Sequence, residues 1–244
     1  MKFTNTEVFN FEGALRGLRN PMNSWEKSDS YYGCDGDVCI TCKYSDDCGN
    51  VKYTLGENDL KLAQTLIKAG TEHCKFMRQI MISVDITAPL YWWKEFDTYK
   101  VGTTANSTST MHKLSTTPIT LDCFEIDDYE AHLEVDFMVF DDECFNLIPV
   151  KDVDLHNEVF NHVSFLEALR TKYLETKDIK YWKELIRWLP ESWLQTRTIT
   201  MNYENVRNMY WQRRNHKLSE WSKSFIGWIE SLPYAKGLIM LDTN

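Results

Sequence analysis

The chain has 244 residues, a length that suits one large domain, and 43% of them are hydrophobic, which is enough for a sizeable buried core. The formal net charge is -9 at pH 7, which argues against a general binder of polymeric nucleic acid or of anionic membranes, because both partners require a cationic surface. A small phosphorylated ligand is compatible with this charge, since it requires only a local cluster of Arg and Lys.

The N-terminal residues and the apolar runs do not indicate a membrane protein. No apolar run approaches the roughly 18 to 20 residues of a membrane span. The first residues, MKFTNTEVFNFEG, lack the basic and then apolar pattern of a secretory signal. The sequence therefore predicts a cytoplasmic protein.

Seven cysteines, an odd number without a secretory context, favour reduced thiols over a disulfide framework. Cys34, Cys39, Cys42 and Cys48 fall in one stretch, and only Cys39 and Cys42 have the C-x2-C spacing of a zinc knuckle. The surrounding Gly, Asp and Asn suit a loop. A reduced insertion at about residues 33–50 is favoured, and a compact zinc site is the alternative.

The first half of the chain contains one clear helix and one clear strand. Residues 1–33 are polar with scattered aromatic side chains. Residues 59–69 have apolar side chains at helical spacing, with Asn58 as the predicted N-cap and Gly70 as the predicted stop. Alternating apolar residues over 80–86 predict a strand, which a proline ends, and an aromatic helix follows it directly.

The second half is more helical. Residues 101–117 are rich in Thr and Ser and predict a loop, either flexible or surrounding a ligand with hydroxyl groups. Residues 127–142 mix acidic and apolar side chains, and helix and strand both remain open. Residues 160–189 predict a broken helix, and 203–231 predict two helices that meet near Arg214–His216. The fold class predicted is α/β (α+β).

Two groups of side chains have the composition of an anion site. In the hydroxyl-rich loop, Lys100, His112 and Lys113 lie among Ser and Thr, and phosphate sites use this combination because hydroxyls donate while Lys supplies charge. In the last helical pattern, Arg207 and Arg214 are about two turns apart and should share a face of an unbroken helix. A solvated loop and an ion-paired surface are the alternatives.

Several chemical motifs are missing. The sequence has no Gly-rich phosphate loop, no HExxH, no GxSxG and no Cys/His pair at nucleophile spacing. His132, His156 and His162 lack the spacing of metal ligands. No metal ion is therefore predicted as a cofactor.

Taken in order, these segments resemble the flavin-dependent thymidylate synthases. In that family a helix ending in Gly is followed by a His-bearing turn, a strand, an Ala-Pro step and an aromatic helix with the motif R-H-R-x-x-S-x-N-E-x-S-x-R. This chain has LIKAG, EHCKFMRQ, IMISVDIT, Ala88–Pro89, LYWWKEF and DTYKVGTTANSTSTMHK. The family's later Leu-Pro step, N-x-R and Arg-bearing helix correspond to WLPESW, Asn205-Val206-Arg207 and the cations from Arg213 to His216. The order covers about residues 55–235.

The chain departs from the family motif at several positions. The R-H-R triplet falls on Thr98, Tyr99 and Lys100, which keep one cation. Ser107 occupies the acidic position, and Met111 replaces the last Arg, with His112 and Lys113 as neighbouring cations. The lost Arg residues each remove a charge-assisted phosphate contact, about 1.5–3 kcal/mol.

The resemblance implies one domain over residues 1–244 with that family's fold, an antiparallel or mixed sheet flanked by long helices. It implies FAD as cofactor, with a pyrimidine deoxynucleotide as substrate, NADPH and methylenetetrahydrofolate as co-substrates, no enzymic Cys nucleophile, and a homotetramer. The residues that it places at the cofactor are Arg78, Gln79, Thr98, Tyr99, Lys100, Asn205 and His216. The residues that it places at the nucleotide are Asn106, Ser107, Ser109, His112, Lys113, Arg207, Arg213 and Arg214.

Three functional hypotheses follow. The first is FAD-dependent transfer of a one-carbon unit to C5 of a pyrimidine deoxynucleotide. The second is a nucleotide- or flavin-binding protein of the same fold that has lost the reaction, which the replacements at Ser107 and Met111 favour. The third is a zinc-bearing interaction module built on Cys34–Cys48.

Overall fold

The computed structural model describes residues 1–34, 51–126, 132–133, 137–141, 146–150 and 153–243. Most of the predicted cysteine-rich insertion, with Cys39, Cys42 and Cys48, lies outside these residues. The chain forms two compact units. The first comprises Met1–Ile86, Asp97–Asn106 and Arg197–Asn244, and the second comprises Thr87–Phe96 and Ser107–Thr196. The single domain predicted over the whole chain stays a prediction.

The described chain alternates strands and helices, and the predicted α+β class is confirmed. The strands are β1 (Lys2–Phe9), β2 (Tyr31–Cys34), β3 (Val51–Thr54), β4 (Met81–Pro89), β5 (Thr104–Ser107), β6 (His132–Leu133), β7 (Phe137–Asp141), β8 (Asn146–Val150), β9 (Val153–Asp154) and β10 (Leu194–Asn202). The α-helices are α1 (Phe11–Arg19), α2 (Glu57–Ala69), α3 (Leu90–Phe96), α4 (Thr110–Lys113), α5 (Leu155–Thr176), α6 (Ile179–Arg187), α7 (Tyr203–Arg213), α8 (Ile226–Glu230) and α9 (Ala235–Leu238). The longest 3-10 segment is Thr71–Arg78, and a π-helical segment, Glu220–Phe225, precedes α8.

Four strands form one sheet in the order β1-β4-β10-β5. The alternation predicted for β4 is confirmed, because Ile82, Val84 and Ile86 are fully buried while the residues between them are partly exposed. The antiparallel hairpins β2–β3 and β7–β8 and the antiparallel pair β6–β9 are separate. Part of the stretch 127–142 that the sequence left open is thus strand, since β7 pairs with β8.

Each unit has its own buried residues. In the first unit, Val206 and Met209 of α7 are buried, as are Trp221, Phe225 and Ile229 of the following π-helical and α8 turns. In the second unit, one buried cluster joins α5 and α6 to the loop that precedes them; its members are Leu114, Ile119, Phe124, Leu166 and Leu185. Burial of such side chains supplies most of the favourable free energy of folding.

The sequence missed β1 and α1 and misplaced one helix cap. The start of α2 is at Glu57 with Gly56 as N-cap, so the prediction of Asn58 as the cap was wrong. The carboxylate of Asp29 accepts instead from the backbone N–H groups of Asn58 (2.9 Å) and Asp59 (3.1 Å). A residue distant in sequence thus satisfies the N–H groups of the first turn.

A buried ion pair attaches the N-terminal segment to α2. Arg19 and Asp59 are 5% and 0% exposed, and Arg19 Nε donates to Asp59 Oδ1 at 2.5 Å. The hydroxyls of Ser28 (2.6 Å) and Ser30 (2.5 Å) donate to Asp59 Oδ2. Burial raises the pKa of Asp59, but the hydrogen bonds from Ser28, Ser30 and Arg19 outweigh it and leave that pKa below its ordinary value.

We expect Asp59→Asn to lower the free energy of unfolding by about 3–5 kcal/mol, because it leaves the Arg19 guanidinium buried without its counter-charge. Urea denaturation at pH 7 measures the change. Glu57→Gln on the same helix is the control, because this carboxylate is 89% exposed, and it should cost less than about 1 kcal/mol. Equal effects of the two substitutions would contradict a stabilising role for the pair.

The same group should affect acid stability. The pKa of Asp59 is lower in the folded chain than in the unfolded chain, so its contribution is complete above about pH 4 and is lost as the pH falls through the folded value. We expect Asp59→Asn to show a shallower loss of stability over that acidic range than the unmodified chain does. Urea midpoints measured from pH 6 downward test this.

Candidate functional site

The first turn of α7 fixes the turn that carries Thr98, Tyr99 and Lys100. Asn202 and Asn205 form a capping box, in which each side-chain oxygen accepts from the other's backbone N–H (3.0 and 3.2 Å). The Asn205 amide also donates to the carbonyl of Val101 at 2.7 Å.

The position after Val101 requires a glycine. Gly102 has φ 76°, in the left-handed region, and a Cβ there would lie 2.8 Å from the side-chain oxygen of Asn205. Glycine permits both the backbone conformation and the close approach. The predicted cofactor residue Asn205 therefore acts on the chain itself, by holding this turn.

Tyr99, His216 and Arg213, predicted for cofactor and nucleotide, come together at the C-terminal end of α7. The Nε of Arg213 donates to the Tyr99 hydroxyl at 2.6 Å, and that hydroxyl donates to the Gln212 amide oxygen at 2.9 Å. The guanidinium carbon of Arg213 lies 5.3 Å from the centre of the Tyr99 ring and 4.9 Å from that of Trp221. His216 meets Trp221 edge-on, with ring centres 6.2 Å apart.

This aromatic–Arg cluster holds a cation in a fixed position. Arg213 is half-buried, and its guanidinium is attracted to the faces of two aromatic rings. A guanidinium held in this way loses little conformational entropy on binding an anion, since its orientation is already set. The cluster can therefore supply a preorganised positive charge.

Arg207 and Arg214 lie elsewhere, along one cleft beside α7. Both guanidinium carbons stack over the ring of Trp211, at 5.8 and 4.2 Å, as expected for residues two turns apart. The cleft, of about 540 Å³, is also lined by residues from the end of α2, from Thr71–Arg78 and from the C-terminal segment. We call it the α7 cleft.

The α7 cleft has a fixed floor. Arg207 donates to the carbonyl of Ile239 at 2.7 Å, and the indole N–H of Trp211 donates to the same carbonyl at 3.2 Å. Burial lowers the pKa of Arg207, and the negative charge of Asp242 opposes that shift. The thiol of Cys74 lies in the wall, and burial raises its pKa, which favours the neutral form.

The other predicted cofactor residues are dispersed. Arg78 forms a bidentate ion pair with Glu204, at 2.5 and 3.0 Å, and this hydrogen bonding raises the pKa of Arg78. The backbone carbonyl of Gln79 accepts from the Asn10 amide at 2.8 Å. Thr98 and Lys100 are exposed, and Lys100 makes no ion pair with any residue that the structure describes.

The predicted nucleotide residues of the hydroxyl-rich loop are exposed or half-buried. Asn106 and Ser107 end β5, all four residues of which are exposed. In the second unit, Ser109 caps α4 by accepting from the N–H of His112 at 3.3 Å. His112 and Lys113 are exposed in the short helix α4.

Sequence reasoning missed several residues around these sites. Neither Trp211 nor Trp221 was predicted at a site, although both contact cations. Asn202 lies three residues before Asn205, the spacing of a capping box, so the sequence did contain that signal. No local pattern indicates that Gln212 contacts Tyr99.

Among the described residues no group of His, Cys, Asp and Glu could hold a metal ion. In the same part of the chain no helix is long and apolar enough to cross a membrane. The zinc hypothesis concerns Cys34–Cys48, which is largely outside the described residues, and it stays a prediction.

Comparison of the fold with solved structures gives a match along the whole chain. Two structures of the flavin-dependent thymidylate synthase ThyX from Helicobacter pylori, each complexed with FAD and dUMP, match with TM-scores of 0.59 and 0.60. Each covers 98% of this chain, and 98% and 97% of those chains are covered, at 17% identity. No protein-family model and no curated protein matches the sequence.

This chain has the flavin-dependent thymidylate synthase fold. The predicted resemblance and fold are thereby confirmed. At 17% identity the likeness extends to the fold alone, so the predicted roles of individual residues stay predictions.

We expect Asn205→Ala to lower the free energy of unfolding by about 1–3 kcal/mol, because it removes the capping box and leaves the Val101 carbonyl without its donor. Urea denaturation measures this loss. Asn208→Ala is the matched control, an exposed amide one turn further along α7, and it should change stability by less than about 0.5 kcal/mol. Similar losses in both variants would show that the turn does not depend on Asn205.

Proposed function

We propose that the chain binds FAD and a pyrimidine deoxynucleotide and transfers a one-carbon unit to C5 of the nucleotide, in the manner of dUMP to dTMP conversion. The observation that carries this proposal is a fold shared over 98% of both chains with a thymidylate synthase complexed with FAD and dUMP. NADPH and methylenetetrahydrofolate are the proposed co-substrates. A cytoplasmic homotetramer is the proposed state.

The residues near Tyr99 fit the phosphate-bearing ligands chemically. FAD and a nucleotide carry phosphates, which require cations and hydrogen-bond donors. Lys100 supplies an exposed cation, and Arg213 supplies one that Tyr99 and Trp221 hold in place. When bound, reduced flavin supplies the hydride, and this chain's part is to bind and orient the two ligands.

The remaining predicted residues have more limited parts in this proposal. Arg78 is already paired with Glu204, so it reaches a ligand only by leaving that pair. Asn205 acts through the turn that carries Lys100 and is a positioning residue. Ser109, His112 and Lys113 belong to the second unit, and we keep them as proposed nucleotide contacts.

Two observations favour a second function, a nucleotide- or flavin-binding protein of the same fold without the reaction. The triplet Thr98, Tyr99 and Lys100 supplies one cation, where the family motif supplies more. The Asn205 amide is engaged with the backbone of Val101. Both observations reduce the number of groups that remain for the ligands.

We expect the purified protein to show flavin absorbance bands after addition of FAD, and these bands to shift on addition of dUMP. Lys100→Ala should weaken FAD binding about tenfold or more, because a charge-assisted phosphate contact contributes about 1.5–3 kcal/mol. Titration followed by absorbance measures the change. Lys183→Ala, an exposed Lys of α6, is the control and should bind FAD like the unmodified chain. A spectrum without FAD binding would refute the enzyme and would leave, of the second function, only a protein that binds the nucleotide.

Complementation of a thymidine-requiring strain separates the two functions. We expect growth without thymidine if the one-carbon transfer occurs. Tyr99→Phe keeps the ring and removes the hydroxyl that fixes Arg213, so it should slow this growth while FAD absorbance is retained. FAD binding without any growth would favour the binding protein over the enzyme.

A further inference from the structure

The α7 cleft is of a size and composition that suit a small charged ligand. Its volume of about 540 Å³ lies within the range of about 300–1,000 Å³ that is typical of small-molecule sites. Its lining combines an indole ring, two guanidinium groups, an ammonium group and an amide. These are Trp211, Arg207, Arg214, Lys68 and Asn208.

The lining charges are predominantly positive. Lys68, Arg207 and Arg214 supply three cations, and two carboxylates, Glu204 and Asp242, also line the cleft. Glu204 is neutralised by its bidentate pair with Arg78, and Asp242 is the other carboxylate of the lining. A local excess of positive charge in a chain of net charge -9 favours anions at this place.

The cations of the cleft differ in their exposure and in the contacts that they make with the rest of the chain. Arg207 donates to the carbonyls of Leu238 (3.4 Å) and Ile239 (2.7 Å), so it belongs to the floor. Arg214 is exposed, contacts the ring of Trp211 at 4.2 Å, and forms no ion pair within the described part of the chain. Lys68 is likewise exposed at the end of α2. Arg207 therefore forms part of the floor of the cleft, and Arg214 and Lys68 are its two exposed cationic side chains.

We propose that the α7 cleft is a binding site for a small phosphorylated molecule, whose phosphate contacts Arg214 and Lys68. Guanidinium and ammonium groups are the side chains that recognise phosphate. Asp242 is the chain's own anion in the cleft and competes with the ligand. The resemblance placed Arg207 and Arg214 at the nucleotide, but Arg213, Tyr99 and Lys100 do not line this cleft, so binding in the cleft can be tested separately from the flavin function.

Calorimetric titration with inorganic pyrophosphate at low ionic strength tests the site. We expect Arg214→Gln to raise the dissociation constant about tenfold or more, because it removes a charge-assisted contact. Asp242→Asn should lower the dissociation constant about threefold, because it removes a like charge beside the ligand. Lys68→Gln should weaken binding in the same direction as Arg214→Gln.

Lys223→Gln is the matched control, since Lys223 is an exposed cation outside the cleft lining. It should leave the dissociation constant within about twofold, because exposed charges are screened beyond about 10 Å. Equal weakening by Lys223→Gln and Arg214→Gln would overturn the site, and so would the absence of binding to the unmodified chain. Circular dichroism of each variant checks that it is folded.

Competition identifies the source of the phosphate. Displacement of pyrophosphate by dUMP or FAD would overturn this proposal, because the cleft would then hold a phosphate of the two ligands already proposed. Pyrophosphate binding that persists in their presence would support a separate site for another small phosphorylated molecule. In Lys100→Ala, lost FAD absorbance with unchanged pyrophosphate binding would separate a failure of the flavin function from a failure of the cleft.

Discussion

The side-chain amide of Asn205 fixes the relative positions of two segments on which the candidate site depends. Its oxygen completes the capping box at the start of α7, and its nitrogen holds the Val101 carbonyl at 2.7 Å. Because Val101 follows Tyr99 by two residues, the same amide positions the Tyr99 ring against Arg213. The first turn of α7 therefore controls the geometry of a cluster that lies at the last turn.

The geometry of the helix α7 determines which of its Arg side chains lie on the same face. Consecutive residues of an α-helix point about 100° apart, whereas residues seven apart return to the same face. Arg213 accordingly contacts Tyr99 and Trp221, while Arg214 shares Trp211 with Arg207. One short segment thus places positive charge in two different environments of an acidic chain.

The periodic parts of the fold could be predicted from the sequence, whereas contacts between distant residues could not. The strand β4 was recognised because its buried side chains alternate. The strand β1 was missed because most of its residues are exposed, which removes that alternation. The contact between Tyr99 and Arg213 joins positions 114 residues apart, and no local pattern encodes such a pairing.

The two hydrogen bonds of the Tyr99 hydroxyl have fixed donors and acceptors, from Arg213 through Tyr99 to Gln212. The Nε of Arg213 can only donate, so the Tyr99 oxygen must accept there, and its single proton goes to Gln212. The amide oxygen of Gln212 therefore faces Tyr99, and its amide nitrogen faces away. Gln212 is exposed to solvent, and its amide group could otherwise rotate. Its orientation is fixed by Arg213, the next residue in the chain, through the Tyr99 hydroxyl.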